Sequence, residues 1–276
     1  MDTKYIAQLQ RIRNGLIRRA ARTKGRIAQV IGLPRNALIR VLNWFKRGLP
    51  IPSSKLIHLV AGSNDVAWFL HSGAMGAESI RGILGVNGLA LDKFNTILDF
   101  GCGVGRVMRY WNSLSGPSFY GTDYNPELIT WCHEHLKFAR FQTNPLMGPL
   151  NYEDGFFDFI YALSVFSHLR EPQQYYWIGE LSRVLKAGGY LFMTVHGDCY
   201  LPQLSPEDQV QFRQGELVVY GGEHEGTNIC AAFHPEEYVR RKLAVGWMFV
   251  DHVPKGATGN PMQDVFLLKK PEQSTS

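Results

Sequence analysis

Residues 97–106 read ILDFGCGVGR, an apolar run closing on an aspartate and then three glycines at alternate positions, Gly101, Gly103 and Gly105. A short apolar run bounded by glycine predicts a buried strand, placed at Thr96–Phe100, turning into a helix over Arg106–Leu114. Glycine at such a turn serves close approach and permissive dihedrals. A strand, glycine turn and helix together present backbone N–H groups to a ligand at the carboxyl edge of a sheet. The dinucleotide fingerprint would require a small residue at position 106 in this register, and Arg106 stands there.

Outward from this unit, strand-like and helix-like stretches alternate. Strands are predicted at Ser118–Thr122, Phe138–Gln142, Phe157–Ala162 and Tyr190–Val195, and helices at Pro126–Leu136 and Gln173–Leu185. That alternation predicts a parallel sheet covered on both faces. Two further strands, Met248–Val253 and Asp264–Lys269, are joined by KGATGNPMQ, too short for a helical crossover, so the pair must be an antiparallel hairpin. Residues 55–95 read as short helices around Gly62, Gly73 and Gly76.

The composition, 276 residues with 45% apolar and 12% aromatic side chains, suits one sizeable domain with an appendage and excludes disorder. No apolar run approaches the roughly 18 residues of a membrane span, and the first residues are polar and basic, so a cytoplasmic protein is expected. Cys102, Cys132, Cys199 and Cys230 form no C-x-x-C pair, which argues against a zinc site or a disulfide framework. No metal is expected.

Charge divides the chain. Of 29 basic and 24 acidic residues, 12 basic residues and Asp2 alone fall within residues 1–48. Tyr5, Leu9, Ile12, Leu16 and Ala20 predict an amphipathic helix there, and a second helix starts at Pro34. The prolines of LPIPSS, residues 49–54, mark a linker. The expected organisation is thus a basic helical arm over 1–54 and a main domain over 55–276.

Asp123, in YGTDYNP after the second strand, is placed where a carboxylate can accept both hydroxyls of a ribose; capping the helix at Pro126 is the other reading. ILDFGCGVGR, YGTDYNPELI, DGFFDFIYALSVFSHL, ELSRVLKAGG and YLFMTVHG, taken in order, resemble the successive signatures of class I S-adenosylmethionine-dependent methyltransferases over about residues 75–270. The resemblance implies an α/β, Rossmann-like fold, a seven-stranded mostly parallel sheet with an antiparallel last strand. It implies S-adenosylmethionine as cofactor, its methionine part cradled by Asp99, Phe100, Gly101, Cys102, Gly103, Gly105 and Arg106, and its ribose bound by Asp123 beside Tyr124. Asn144, Pro145 and Leu146 would contact adenine, and Ala162, Leu163 and Ser164 would lie beneath the cofactor. Ala187 in LKAGG stands where the family usually has proline, which alters a turn and no chemistry.

Methyl transfer from a sulfonium requires donor and acceptor held in contact and water excluded. A hydroxyl acceptor is helped by a general base. His168, in SVFSHL after the fourth predicted strand, and His196, ending the fifth, stand at the ligand edge as candidate catalytic residues, with packing or capping as the alternative for His168. His224 and His234 belong to the long segment 197–234, read as a lid or acceptor pocket. Glu223, His224 and Glu225 are adjacent in sequence and do not suggest a metal. Gln263 and Asp264 open the last strand at the same edge and are candidate acceptor-binding residues, or loop caps. WFLHSGAMG, residues 68–76, could fold over the cofactor, with core and surface packing as the other reading of Trp68, Phe69 and His71, and Tyr175–Trp177 reads as packing.

Two functions fit. One is methylation of a small-molecule or glycan acceptor, with the basic arm docked on an anionic membrane surface or a partner enzyme. The other is RNA binding or RNA methylation with the arm on phosphates; against it stand the acidic main domain and the absence of an N-P-P-Y-like tetrapeptide, ALSV occupying that place.

Overall fold

A computed structural model describes residues 34–45, 48–259 and 262–272. The helix expected over the first 20 residues lies outside them. The described residues form two compact units, one running to Ile51 and including Asp65–Ala67, the other made of Pro52–Asn64 and the chain from Trp68.

In the first unit, α1 (Arg35–Phe45) follows Pro34 as its sequence predicts. Its polar side chains fasten the extended residues after it: Arg40 donates to the Ile51 carbonyl at 2.7 Å and Asn43 to that of Leu49 at 2.9 Å.

The second unit is built on a seven-stranded sheet and also holds a separate two-stranded one. Its elements are α2 (Ser54–Ala61), α3 (Val66–Val86) from Trp68 onward, β1 (Thr96–Phe100), β2 (Ser118–Asp123), α4 (Pro126–His135), β3 (Ala139–Thr143), β4 (Phe157–Ala162), α5 (Glu171–Val184), β5 (Leu185–Val195), α6 (Pro206–Arg213), β6 (Val218–Tyr220), β7 (Ala231–Phe233), α7 (Glu236–Tyr238), β8 (Met248–Ala257) and β9 (Gln263–Lys269). The seven-stranded sheet runs β3-β2-β1-β4-β5-β9-β8, with β9 antiparallel to both neighbours and the rest parallel. Strand order reverses between β1 and β4, which opens a crevice at their carboxyl ends. β1, β4, β5 and β9 are apolar on both faces because helices or loops cover both sides; Leu98, Ile160, Leu191 and Leu268 are completely buried. No described helix is long and apolar enough to cross a membrane.

Three stretches differ from their sequence reading. Gly62 does end a helix, in the left-handed conformation with its N–H on the His58 carbonyl, but Gly73 and Gly76 lie inside the single 21-residue α3. Those glycines give the helix a bare face: a Cβ at Gly73 would stand 2.2 Å from the Arg106 carbonyl oxygen, and one at Gly76 would press on Val107 and Leu163. The helix expected over Arg106–Leu114 is instead a series of turns with one 3-10 turn, Met108–Trp111. Three left-handed glycines precede it, leaving no side chain to cap a helix, and Arg106 and Tyr110 are drawn onto α3 at Ser72 and Leu70. β5 begins five residues before Tyr190, with an irregular register against β4 between Phe157 and Phe159.

Candidate active site

A cavity of about 370 Å3 lies at the crevice between β1 and β4. The turn after β1 forms its floor, with Gly101, Gly103 and Gly105 all at positive φ (74°, 55° and 66°). A Cβ at Gly101 would meet Val165 at 2.5 Å and one at Gly103 would meet Val60 at 2.9 Å. The glycines therefore satisfy both backbone handedness and the close packing of the cavity's walls.

Asp123 ends β2 at the cavity edge, 8% exposed; one carboxylate oxygen accepts the Gly103 N–H and the other the Asn125 N–H, each at 2.9 Å. Burial raises its pKa and these two N–H groups oppose the rise. The neighbouring helix is capped by Asn125, whose side chain accepts from Glu127 N. Asp99, also on the wall, is pushed up to about 7 by burial, against hydrogen bonding from Tyr161 and the charge of Arg106. Asn144 donates to the Pro145 carbonyl at 2.8 Å, which leaves its buried Oδ1 without a partner among the described residues.

On the far side, His168 follows β4 in a 3-10 turn. Its Nδ1 lies 2.6 Å from the Cys230 carbonyl oxygen, which can only accept, so Nδ1 carries the proton and Nε2 the lone pair. Burial lowers its pKa, which keeps the ring neutral. His196 stands beside it, ring centroids 6.0 Å apart, tilted against Tyr200 and Phe233; burial, with His168 adding, lowers its pKa to about 4. Gly226 donates its N–H to the His168 carbonyl, Arg170 pairs with Glu225, and Asn228 donates to the Leu59 carbonyl at the end of α2. The stretch 225–230 thus ties the loop after β4 to α2 across the cavity mouth.

Of the residues singled out by sequence, Asp99, Phe100, Gly101, Cys102, Gly103, Arg106, Asp123, Tyr124, Asn144, Leu146, Leu163, Ser164, His168 and His196 line this cavity. Gly105, Pro145 and Ala162 do not line it. His224 is exposed beside Glu223, and His234 is buried with its Nε2 on Gln174 at 3.1 Å. Gln263 and Asp264 are both buried: Gln263 accepts from Thr194, and Asp264 accepts from Lys255 N. The cavity also takes Leu59–Gly62, Trp177 and Gly226–Asn228, which sequence reasoning did not select. Trp177 shares the inward helical stripe of Leu181 and Val184, and Gly226 signals a turn; nothing in Leu59–Gly62 points to a ligand.

Residues 98–193 match a family model described as a methyltransferase domain. Over that span the chain carries a methyltransferase domain of the S-adenosylmethionine-dependent type. It is 28% identical over 130 residues to the mitochondrial ubiquinone biosynthesis O-methyltransferase of Dictyostelium discoideum, 42% of this chain and 40% of that one. It is 32% identical over 99 residues to the sterol 24-C-methyltransferase of Schizosaccharomyces pombe, 34% of this chain and 25% of that one. The chain thus matches well under half the length of these relatives. An S-adenosylmethionine-dependent methyltransferase from Methanosarcina mazei superposes with a TM-score of 0.51 at 21% identity, covering 68% of this chain and 97% of that one, a likeness of fold.

The residues present fit the methyltransferase cofactor, S-adenosylmethionine. Asp123 retains free lone pairs for ribose hydroxyls, the unpartnered Asn144 Oδ1 suits an exocyclic amino group, and Phe100, Leu146 and Trp177 give apolar walls for a purine. Asp99 offers a carboxylate to the ammonium of the methionine part.

Proposed function

We propose that the protein transfers a methyl group from S-adenosylmethionine to a hydroxyl of a small-molecule or glycan acceptor. The observation that carries this reading is His168, a neutral histidine in the cavity wall whose tautomer is locked by the Cys230 carbonyl with the basic nitrogen, Nε2, left for a proton. The relative from Dictyostelium, named an O-methyltransferase, is consistent with it.

The cofactor supplies a methyl group on positively charged sulfur, open to in-line displacement. Asp123, Asn144 and Trp177 hold the nucleoside part, and Asp99 with the glycine turn holds the methionine part. His168 takes the acceptor's proton as its oxygen becomes nucleophilic, and His196, uncharged above about pH 5, packs the acceptor against an apolar, water-poor wall. The segment 197–234 forms the acceptor side, and the basic arm over 1–54 docks the enzyme on an anionic membrane surface or partner protein at the cytoplasmic side.

Calorimetric titration with S-adenosylhomocysteine, with Asp123→Ala as control, tests the cofactor part. Micromolar binding lost in the variant is expected, followed by methylation in a screen of hydroxylated acceptors beginning with sugars. No binding by folded protein would overturn the reading.

A further inference from the structure

Ser164, the residue that follows Leu163 after β4, holds φ at 61°, a left-handed conformation that a side chain normally disfavours. Its surroundings enforce it. Ser164 N–H donates to Thr194 Oγ1 at 2.7 Å, and Ser164 Oγ sits 3.0 Å from Gln263 Nε2 and 3.4 Å from His168 Nε2.

The hydrogens in this group can be assigned. Thr194 Oγ1, having accepted from Ser164 N, gives its own proton to Gln263 Oε1 at 2.6 Å, which turns the amide nitrogen towards the serines. The two amide hydrogens then serve Ser164 Oγ and, at 3.2 Å, Ser167 Oγ. Ser167 Oγ also lies 3.4 Å from Ser164 Oγ but already accepts from Gln263, whereas His168 Nε2 has no other donor among the described residues and is the stronger acceptor. The Ser164 proton therefore points at His168, and the second lone pair of Ser164 Oγ, faced only by the Ser167 hydroxyl at 3.4 Å, is the one that an acceptor hydroxyl would take in its place.

We infer that Ser164 relays the acceptor's proton to His168, and that Gln263, entirely buried in β9, is the positioning residue that sets the direction of the relay. This rests on hydroxyl methylation as proposed above. The acceptor hydroxyl donates to Ser164 Oγ. As its oxygen bonds to the methyl carbon, the carbon–sulfur bond breaks and sulfur keeps the electron pair. The acceptor's proton passes to Ser164 Oγ and the Ser164 proton to His168 Nε2, so the positive charge lost by sulfur reappears on the imidazolium. His168 returns its proton to solvent after the products leave.

The test is a pH titration of the histidine rings by nitrogen-15 NMR in protein saturated with S-adenosylhomocysteine. In the parent protein, neutral His168 should show a protonated Nδ1 and an unprotonated Nε2. Ser164→Ala should raise its proton affinity about three- to tenfold, because a hydrogen bond to the neutral ring is lost. Ser164→Gly should do the same while relieving the backbone. Gln263→Glu should raise it further, since its carboxylate recaptures the serine proton. An Nε2-protonated ring in the parent, or proton affinity unchanged in both serine variants, overturns the relay. Failure of the parent protein to bind S-adenosylhomocysteine would instead strike the underlying methyltransferase reading.

Discussion

Asp123, at the end of β2, and Gly103, in the turn after β1, are joined by a 2.9 Å hydrogen bond from the glycine N–H to the carboxylate. One side chain thus shapes the glycine turn and, on the function proposed above, receives the ribose. Asp123→Ala removes both roles, so S-adenosylhomocysteine affinity should fall by about 10- to 100-fold, the worth of one or two hydrogen bonds to a charged group. Calorimetry on variant protein with a native circular dichroism spectrum checks this.

Burial disfavours the charge of Asp99 and pushes its pKa up to about 7. A bound ammonium favours the charged form, so binding must expel the proton that Asp99 holds below that pH. Affinity for S-adenosylhomocysteine should therefore rise between pH 6 and 8, with proton release visible as a dependence of binding heat on the buffer's ionisation enthalpy. In Asp99→Asn the pH dependence should vanish.

His196 and His234 are buried neutral, with values near 4 and 3. An unfolded histidine binds its proton at about 6.5, so below that pH the unfolded chain takes up protons that the folded one refuses. Stability must fall as pH drops from about 6.5 towards 4, by roughly 2–3 kcal/mol for His196 at 1.36 kcal/mol per unit. Denaturant unfolding over this range should show the loss, and His234→Gln should flatten the slope.

Glycine substitutions should divide by position. At Gly103 a side chain faces both positive φ and Val60 at 2.9 Å, so Gly103→Ala should cost about 1–3 kcal/mol, and adding Val60→Ala should recover only the steric share. Gly82 has open space around it inside α3, so Gly82→Ala should add about 0.5–1 kcal/mol. Thermal melts of the variants settle the ordering.

The centre of the fold was legible because its signals are local. The bounds of β1 and β4 follow from apolar runs with sharp ends, and the antiparallel β9 from a loop too short to cross over. The length of α3 was not legible, since glycines at 73 and 76 read as breaks until the Arg106 carbonyl beneath them is seen. Within the site, the motif residues that line the cavity come from the carboxyl ends of β1 to β5 and the turns after them. Its mouth does not: Leu59–Gly62 and Gly226–Asn228 meet from segments more than 160 residues apart, and neither carries a pattern of its own. Gln263 shows the other limit, for sequence gives its edge of the sheet but not that its amide turns inward to Ser164.

The short stretch from Glu225 to Cys230 holds the mouth closed at Leu59 and, through the Cys230 carbonyl, fixes the orientation of His168. Displacing that stretch would therefore release the His168 ring to turn. One six-residue stretch thus sets both the width of the entrance and the direction in which the His168 ring presents its bare nitrogen.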